Sequence, residues 1–132
     1  MQIVDYVCDK VLRGQIAAGQ QLPSVRELAV ELEVNPNTVM RAVERLLQAG
    51  IAYSQRGRGN FLAPEAPERI RAMRRQRLAD ETLPRLADEM CLLGVRPAEV
   101  AQELQALLDK RLAATARAEE KTQPGEKNPT SV

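Results

Sequence analysis

Arginine is the residue type whose placement in this chain best suits a chemical task. Arg26, Arg41, Arg56 and Arg58 lie in short polar stretches and off the apolar positions. A guanidinium group donates several hydrogen bonds in one plane, so it can hold a phosphate or pair with the major-groove edge of guanine. The net charge of the 132 residues is only +1, so the local placement of these arginines, and not the overall charge, points to nucleic acid.

Other side-chain chemistry finds little support in the composition. The chain contains no histidine, and its two cysteines, Cys8 and Cys91, lie far apart and form no CxxC pair. Ser24 and the scattered acids have no basic partner at catalytic spacing, and no glycine-rich phosphate loop is present. Cys91 with Asp88 and Glu89 is a poor soft-metal site because further sulfur or nitrogen ligands are missing. We therefore expect no enzyme activity, no cofactor and no metal.

The stretch from Leu22 to Gly50 predicts two short helices joined by a tight turn. Ser24 followed three residues later by Glu27 is a capping box, which marks a helix start. Asn35 is a favoured N-cap, and Pro36 suits the first position of a second helix. Apolar residues recur at helical spacing in both helices: Val25, Leu28, Ala29, Leu32, Val39, Val43, Leu46 and Leu47. Helices with so short a join cross each other, as in a helix-turn-helix.

The polar side of the second helix carries the candidate recognition residues. They are Asn37, Thr38, Met40, Arg41, Glu44 and Arg45. The start of this helix favours phosphate because free N–H groups and the positive end of the dipole meet there. In helix-turn-helix proteins the second helix meets base edges in the major groove. The alternative is that Asn35 and Thr38 only cap the helix and that the charges form a solvated face.

A β-hairpin is predicted directly after the second helix. Two short, partly apolar segments flank the turn sequence QRGRGN at 55–60. Gly57 and Gly59 permit the backbone of a tight turn, and Arg56 and Arg58 lie at its tip. Such a hairpin is a wing, and arginines at its tip can reach a phosphate or a narrow minor groove. A helix-turn-helix followed by an arginine-tipped wing predicts a DNA-binding domain.

Residues 3–63 resemble the winged-helix DNA-binding domain of the GntR family of bacterial transcription regulators. The motifs that carry the resemblance are Gly19, LPSVRELA at 22–29, VNPNTV at 34–39, Gly50 and RGRGNF at 56–61. The resemblance implies that Arg26, the start of the second helix and the wing contact an operator.

Within that family, the sequence NPNTV followed by Arg41 resembles the small YtrA-like subgroup, whose C-terminal part is a helical hairpin. Many other members have arginines where this chain has Pro36 and Met40, so the base-contact role falls to Arg41. The subgroup implies a transporter operon as the target. The expected DNA-binding residues are Ser24, Arg26, Asn35, Asn37, Thr38, Arg41, Arg45, Arg56, Gly57 and Arg58.

The domain organisation follows from shifts in composition along the chain. We expect a winged helix-turn-helix domain at 1–63, a proline-containing linker at 64–67, a helical hairpin at 68–114 and a disordered tail at 115–132. A further N-terminal helix belongs to the first domain, and Cys8 on its apolar face is a core residue. The predicted fold class is mainly α with a small β-hairpin.

The helical hairpin is predicted to make the chain a dimer. Its helices meet at 94–96, and each carries an apolar face with too little partner surface inside one chain. A second copy would cover these faces in a helical bundle around a two-fold axis. The alternative is that the hairpin packs on its own DNA-binding domain. The expected dimerisation residues are Leu83, Leu86, Met90, Leu93, Val100, Leu104, Leu107 and Leu108.

The predicted helical hairpin also contains an arginine-rich run and an internal proline. Five arginines lie within 69–77, and they could follow the DNA backbone or form a solvated face paired with nearby acids. Pro84 lies inside the helical pattern, so we expect a kink or break near Thr82.

The sequence thus favours a dimeric, sequence-specific DNA-binding regulator, a repressor that binds a palindromic operator. A winged-helix module that binds protein is the alternative, but its wing would expose apolar residues at the tip. The expected partners are double-stranded operator DNA and a second copy of the chain, and no small-molecule effector is identified. No membrane-spanning run or signal pattern is present, so we expect a cytoplasmic protein.

Overall fold

The computed structural model describes residues 2–122. Within them the chain forms six α-helices and one antiparallel hairpin of two strands. The elements are α1 (Gln2–Leu12), α2 (Val25–Leu32), α3 (Pro36–Gln48), β1 (Ala52–Gln55), β2 (Gly59–Leu62), α4 (Ala66–Arg77), α5 (Leu83–Leu93) and α6 (Pro97–Thr122). The chain divides into a first compact unit that ends at Leu83 and a second that begins at Pro84. This is the mainly helical fold with a small β-hairpin that the sequence predicts.

Local hydrogen bonds set the ends of α2 and α3. Ser24 Oγ accepts from the Glu27 N–H at 3.1 Å, and the Ser24 N–H donates to Glu27 Oε2 at 3.2 Å. At the start of α3, Asn35 Oδ1 accepts from the Asn37 N–H at 2.9 Å. After α3, Gly50 has a φ of +72°, a left-handed conformation that suits glycine. The capping box, the Asn35 cap and the glycine stop are therefore confirmed.

The turn between α2 and α3 is tight because Glu33 adopts a left-handed conformation, with φ 53° and ψ 45°. Its N–H and that of Val34 still bond back to α2, the latter to the Ala29 carbonyl at 3.1 Å. Glutamate rarely adopts positive φ, so no residue of this turn indicates the left-handed conformation in advance. It allows α2 and α3 to be separated by only three residues.

The core of the first unit brings together α1, α2, α3, the hairpin and α4. Its most deeply buried large side chains are Val7, Val39, Leu46, Ile51, Leu62 and Ile70. Cys8 on α1 is only 3% exposed, so its prediction as a core residue is confirmed. Burial raises the pKa of the Cys8 thiol because the thiolate loses its hydration.

We expect the two cysteines to differ sharply in reactivity. Cys8 is buried and its raised pKa reduces the thiolate fraction, whereas Cys91 is exposed. In a Cys91→Ser variant, Ellman's reagent at pH 8 should modify no thiol until denaturant is added. A matched Cys8→Ser variant should react in the native state. Rapid modification of the native Cys91→Ser protein would contradict the buried position of Cys8.

Helix α4 belongs to the first unit, which differs from the predicted domain boundary at residue 63. Ala66 is fully buried and Ile70 is 1% exposed, so both side chains complete the core. The helix also begins at Ala66, two residues before the predicted start, with Pro67 in its first turn. The sequence does not indicate that α4 joins the core, because a single isoleucine among arginines produces almost no apolar periodicity.

Two arginines of the run at 69–77 bind acids of α1. The Arg74 Nη1 atom lies 2.5 Å from Asp9 Oδ1, and its Nη2 donates to the Asp5 carbonyl at 3.1 Å. Arg77 Nη1 lies 3.1 Å from Asp5 Oδ1. For these two arginines, the structure favours the interpretation of a helix face paired with nearby acids.

A π-helical turn at Leu78–Thr82 joins α4 to α5. The Leu83 N–H bonds to the Leu78 carbonyl, five residues earlier, which widens the helix at this point. The next residue, Pro84, has no N–H to donate. The irregularity expected near Thr82 therefore takes the form of a wider turn, and not of a chain break.

The second unit contains two helices and a short turn. Gly94, with φ +67°, ends α5, and the Val95 N–H bonds to the Met90 carbonyl at 3.1 Å. Helix α6 continues to Thr122, so the tail predicted to begin at residue 115 is helical over 115–122. Alanine, arginine, glutamate and lysine favour helix even without an apolar stripe. The rest of the predicted tail, 123–132, lies outside the described residues. None of the helices at 2–122 is long and apolar enough to cross a bilayer.

Candidate nucleic-acid interface

The outward side of α3 is the centre of the candidate interface. Val39, Ala42, Val43 and Leu46 are buried on its inner side. On the other side the exposed residues are Asn37, Thr38, Met40, Arg41, Glu44 and Arg45. Because the inner side is fixed by the core, the outward side chains occupy a rigid helix that can enter a groove as one body.

The start of α2 adds a second set of polar groups. The Ser24 hydroxyl accepts the Glu27 N–H and so serves the helix cap. Arg26 follows two residues later and is exposed. A guanidinium in the first turn of α2 therefore lies beside the helix N-terminus, where anions are also stabilised by the dipole.

The wing has the predicted turn and presents its arginines at the tip. Strands β1 and β2 pair in the register Tyr53↔Phe61 and Gln55↔Gly59. The rings of Tyr53 and Phe61 stack with their centroids 5.7 Å apart, which stiffens the hairpin. The turn itself consists of Arg56, Gly57 and Arg58, all exposed. Gly57 has φ +75°, which confirms the glycine requirement of this turn.

Gln21 is a residue of the site that sequence reasoning missed. Its Nε2 atom donates to the Arg58 carbonyl at 2.7 Å and lies 2.8 Å from where a Cβ on Gly59 would stand. The neighbouring Leu22 N–H donates to the Asn60 carbonyl at 2.8 Å. These contacts hold the wing turn against the segment that leads into α2. Their long sequence separation explains why no local signal revealed them.

Arg45 lies one turn further along the exposed side of α3 than Arg41. It lines a crevice of about 240 Å³ together with Asp5 of α1 and with Met73 and Arg77 of α4. This places it beside α1 and α4 at the C-terminal half of α3. The other candidates belong to the N-terminal half of α3, the start of α2 or the wing.

A surface cluster of Tyr6, Lys10 and Glu31 links α1 to α2. The Tyr6 hydroxyl donates to Glu31, and Lys10 Nζ lies 3.3 Å from the same carboxylate. These hydrogen bonds, that of Tyr6 first, hold the pKa of Glu31 below its usual range. Hydrogen bonding to Tyr6 and Glu31 raises the pKa of Lys10. The carboxylate and ammonium forms therefore stabilise each other at neutral pH.

The exposed polar groups of α2, α3 and the wing are suited to bind nucleic acid. Within residues 2–122, no three cysteine, aspartate or glutamate side chains are grouped as metal ligands would be. What the first unit offers is a helix-turn-helix with an exposed recognition side, a start of α2 that carries a guanidinium, and a wing with two arginines.

Comparison with known proteins agrees with this arrangement. The pattern described as "Bacterial regulatory proteins, gntR family" matches residues 1–62. The HTH-type transcriptional regulator YhcF of Bacillus subtilis is 32% identical over 105 residues, which cover 80% of this chain and 85% of YhcF. The chain belongs to the GntR family. It is thus a member of a family of DNA-binding transcription regulators, as the resemblance of residues 3–63 predicts.

Further GntR-family proteins show how far the similarity extends. The transcriptional repressor YtrA of Bacillus subtilis is 42% identical over 65 residues, which cover 49% of this chain and 50% of YtrA. A GntR-family structure from Bacteroides thetaiotaomicron is 32% identical with a TM-score of 0.68. The match covers 84% of this chain and 97% of the Bacteroides protein chain. The similarity to that structure therefore includes residues beyond the winged helix-turn-helix.

Proposed function

We propose that this GntR-family regulator is a dimeric repressor that binds a palindromic operator. The observation that carries the proposal is the rigid outward side of α3, on which Asn37 and Arg41 are exposed. Asparagine and arginine are the side chains that pair in a bidentate manner with adenine and guanine in the major groove. The repressor role is supported by the similarity to YtrA, which is named a repressor.

The contacts to DNA divide by role. Arg41 follows the start of α3 by one turn and is suited to read a base. Arg56, Gly57 and Arg58 form an exposed, glycine-containing turn, which is suited to hold phosphate or to enter the minor groove. Ser24, Arg26, Asn35 and Thr38 lie at the starts of α2 and α3 and are proposed to position the helices on the backbone, with Arg26 close to the bases, whereas Asn37 is proposed to read a base together with Arg41. Arg45, one turn further along α3 than Arg41, is proposed as a phosphate contact.

Two arginine variants should separate base reading from phosphate binding. Arg41→Ala is expected to cost about 1–3 kcal/mol of operator binding and to relax the preference at one base pair of each half-site. Arg58→Ala should weaken operator and scrambled DNA alike, and it should lower the salt slope of binding by about one unit. Titrations at two salt concentrations on both DNAs measure these effects.

Arg96→Ala is the matched control, because Arg96 is an exposed arginine in the turn between α5 and α6, outside the residues proposed to bind DNA. It should change neither affinity nor salt slope. If Arg41→Ala kept both affinity and base preference, the assignment of this side of α3 to the groove would be wrong.

Dimerisation is supported by the exposed leucines of α5 and α6. In the single chain Leu83 and Leu104 are about half exposed, at 51% and 50%, and Leu93 is 67% exposed. An uncovered row of large apolar side chains is costly in water and is typical of an interface. A second copy of the chain would cover Leu83, Leu86, Met90, Leu93, Val100, Leu104, Leu107 and Leu108 around a two-fold axis.

The proposed location and target follow from DNA binding and from the resemblance to the small subgroup. A regulator that binds chromosomal DNA in a bacterium acts in the cytoplasm and needs no catalytic activity or cofactor. As the subgroup resemblance implies, a transporter operon is the proposed target. Recovery of DNA bound to the protein across the genome tests that assignment directly. The alternative of a protein-binding wing is disfavoured because its tip is Arg-Gly-Arg and exposes no large apolar side chain.

A further inference from the structure

Met40 is an exposed apolar side chain within an otherwise polar recognition surface. It is 49% exposed, and it is the large hydrophobic residue that stands out on the outward side of α3. Asn37, Arg41 and Glu44 are the exposed polar residues around it. The apolar residues Val39 and Val43 of the same helix are buried, so Met40 takes no part in the core.

The position of Met40 places it among the groups proposed to read bases. Side chains three or four residues apart are neighbours on a helix surface, so Met40 adjoins both Asn37 and Glu44. Arg41 is the next residue in the chain. A helix that inserts Asn37 and Arg41 into the major groove therefore carries the Met40 thioether in with them.

The major groove has one apolar feature that such a side chain can recognise. Base edges there present hydrogen-bond donors and acceptors, and thymine adds its C5-methyl group. A methionine side chain is flexible and polarizable, so it can close around a methyl group of imperfectly matched position. A cytosine or a purine at the same place offers no equivalent methyl contact.

We propose that Met40 is a specificity-determining residue that selects thymine, through its methyl group, next to the base pair contacted by Arg41. This inference rests on the proposed insertion of α3 into the major groove. Burial of one methyl-sized group stabilises the protein–DNA complex by about 0.8 kcal/mol, which corresponds to about a fourfold change in affinity for each half-site.

The test removes only the methyl group. An operator is first selected from random DNA with the full chain, and each thymine is then replaced by deoxyuridine in both half-sites. Base pairing and the hydrogen-bonding edge are unchanged by this replacement. With the wild-type protein, we expect one thymine position at which deoxyuridine weakens binding about fourfold per half-site.

Variants of Met40 link that methyl group to this side chain. Met40→Ala should bind the thymine and deoxyuridine operators with equal affinity, and that affinity should match the affinity of the wild-type protein for the deoxyuridine operator. Met40→Gln keeps the side-chain length but adds a polar amide, and it too should lose the methyl dependence. Met73→Ala is the matched control, because Met73 is a methionine of similar exposure, 46%, on α4, and it should keep the wild-type difference.

The results distinguish this inference from the function on which it rests. Absence of any methyl-sensitive thymine with the wild type would overturn it, as would methyl dependence that persists in folded Met40→Ala and Met40→Gln proteins. In both cases preference for the operator over scrambled DNA would leave the proposed function intact. If the full chain preferred no DNA sequence at the selection step, the proposed function itself would fail.

Discussion

Replacement of Ile70 by alanine is expected to lower the free energy of unfolding of the first unit by about 2–5 kcal/mol. Ile70 lies on α4, is 1% exposed and packs in the same core cluster as Val7, Leu46 and Leu62. Removal of its outer carbons leaves a cavity that a close-packed core closes only in part. Because small domains are stable by only about 5–15 kcal/mol, the loss is a large fraction of the total.

Urea unfolding of the two proteins measures this loss, and Met73→Ala is the matched control. Met73 also lies on α4 but is 46% exposed, so its truncation should cost much less than that of Ile70. A fragment that ends at Leu83 should fold, whereas one that ends at Ala63 lacks Ala66 and Ile70 and should be less stable. Equal stability of the two fragments would contradict the place of α4 in the first unit.

The second large effect is expected from charges on the leucine faces. A protein with both Leu86→Glu and Leu104→Glu should be monomeric at micromolar concentration, because four buried carboxylates per dimer would lack partners. Its affinity for a two-half-site operator should fall by about 10²–10⁴-fold, since the two DNA-binding units are no longer linked. Sedimentation and operator titration measure the two consequences.

Leu92→Glu provides the control for that variant. Leu92 is 83% exposed and lies about a third of a turn away from the face formed by Leu83, Leu86, Met90 and Leu93. It should remain dimeric and bind the operator as wild type does. A monomeric wild-type protein, or equal disruption by Leu92→Glu, would contradict the proposed interface.

Local signals made much of the first unit predictable from sequence. A capping box needs only Ser24 and Glu27, and a helix stop needs only a residue such as Gly50 that adopts positive φ readily. The exposed side of α3 also follows from local information, because its buried residues recur at helical spacing. The positions of Asn37 and Arg41 on the surface could therefore be predicted before the fold was known.

Features that depend on distant residues were not predictable in the same way. Ile70 enters the core only because α1 and α3 provide a site for it, and its own neighbours in sequence are charged. Gln21 supports the wing through the carbonyl of Arg58, a backbone group whose position depends on the whole hairpin. Helix α6 passes residue 115 because intrinsic helix propensity suffices there, although no apolar stripe marks it.

Selection of bound sequences from random DNA by the full chain, followed by footprinting, distinguishes a dimer on an inverted repeat from a protein that binds one half-site or no specific sequence. A dimer whose two copies of α3 are related by a two-fold axis requires an inverted repeat. We expect half-site centres about 34 Å apart, or a multiple of that spacing, with both half-sites protected at the same protein concentration. Enrichment of a single unrepeated half-site, or no preference over scrambled DNA, would contradict it.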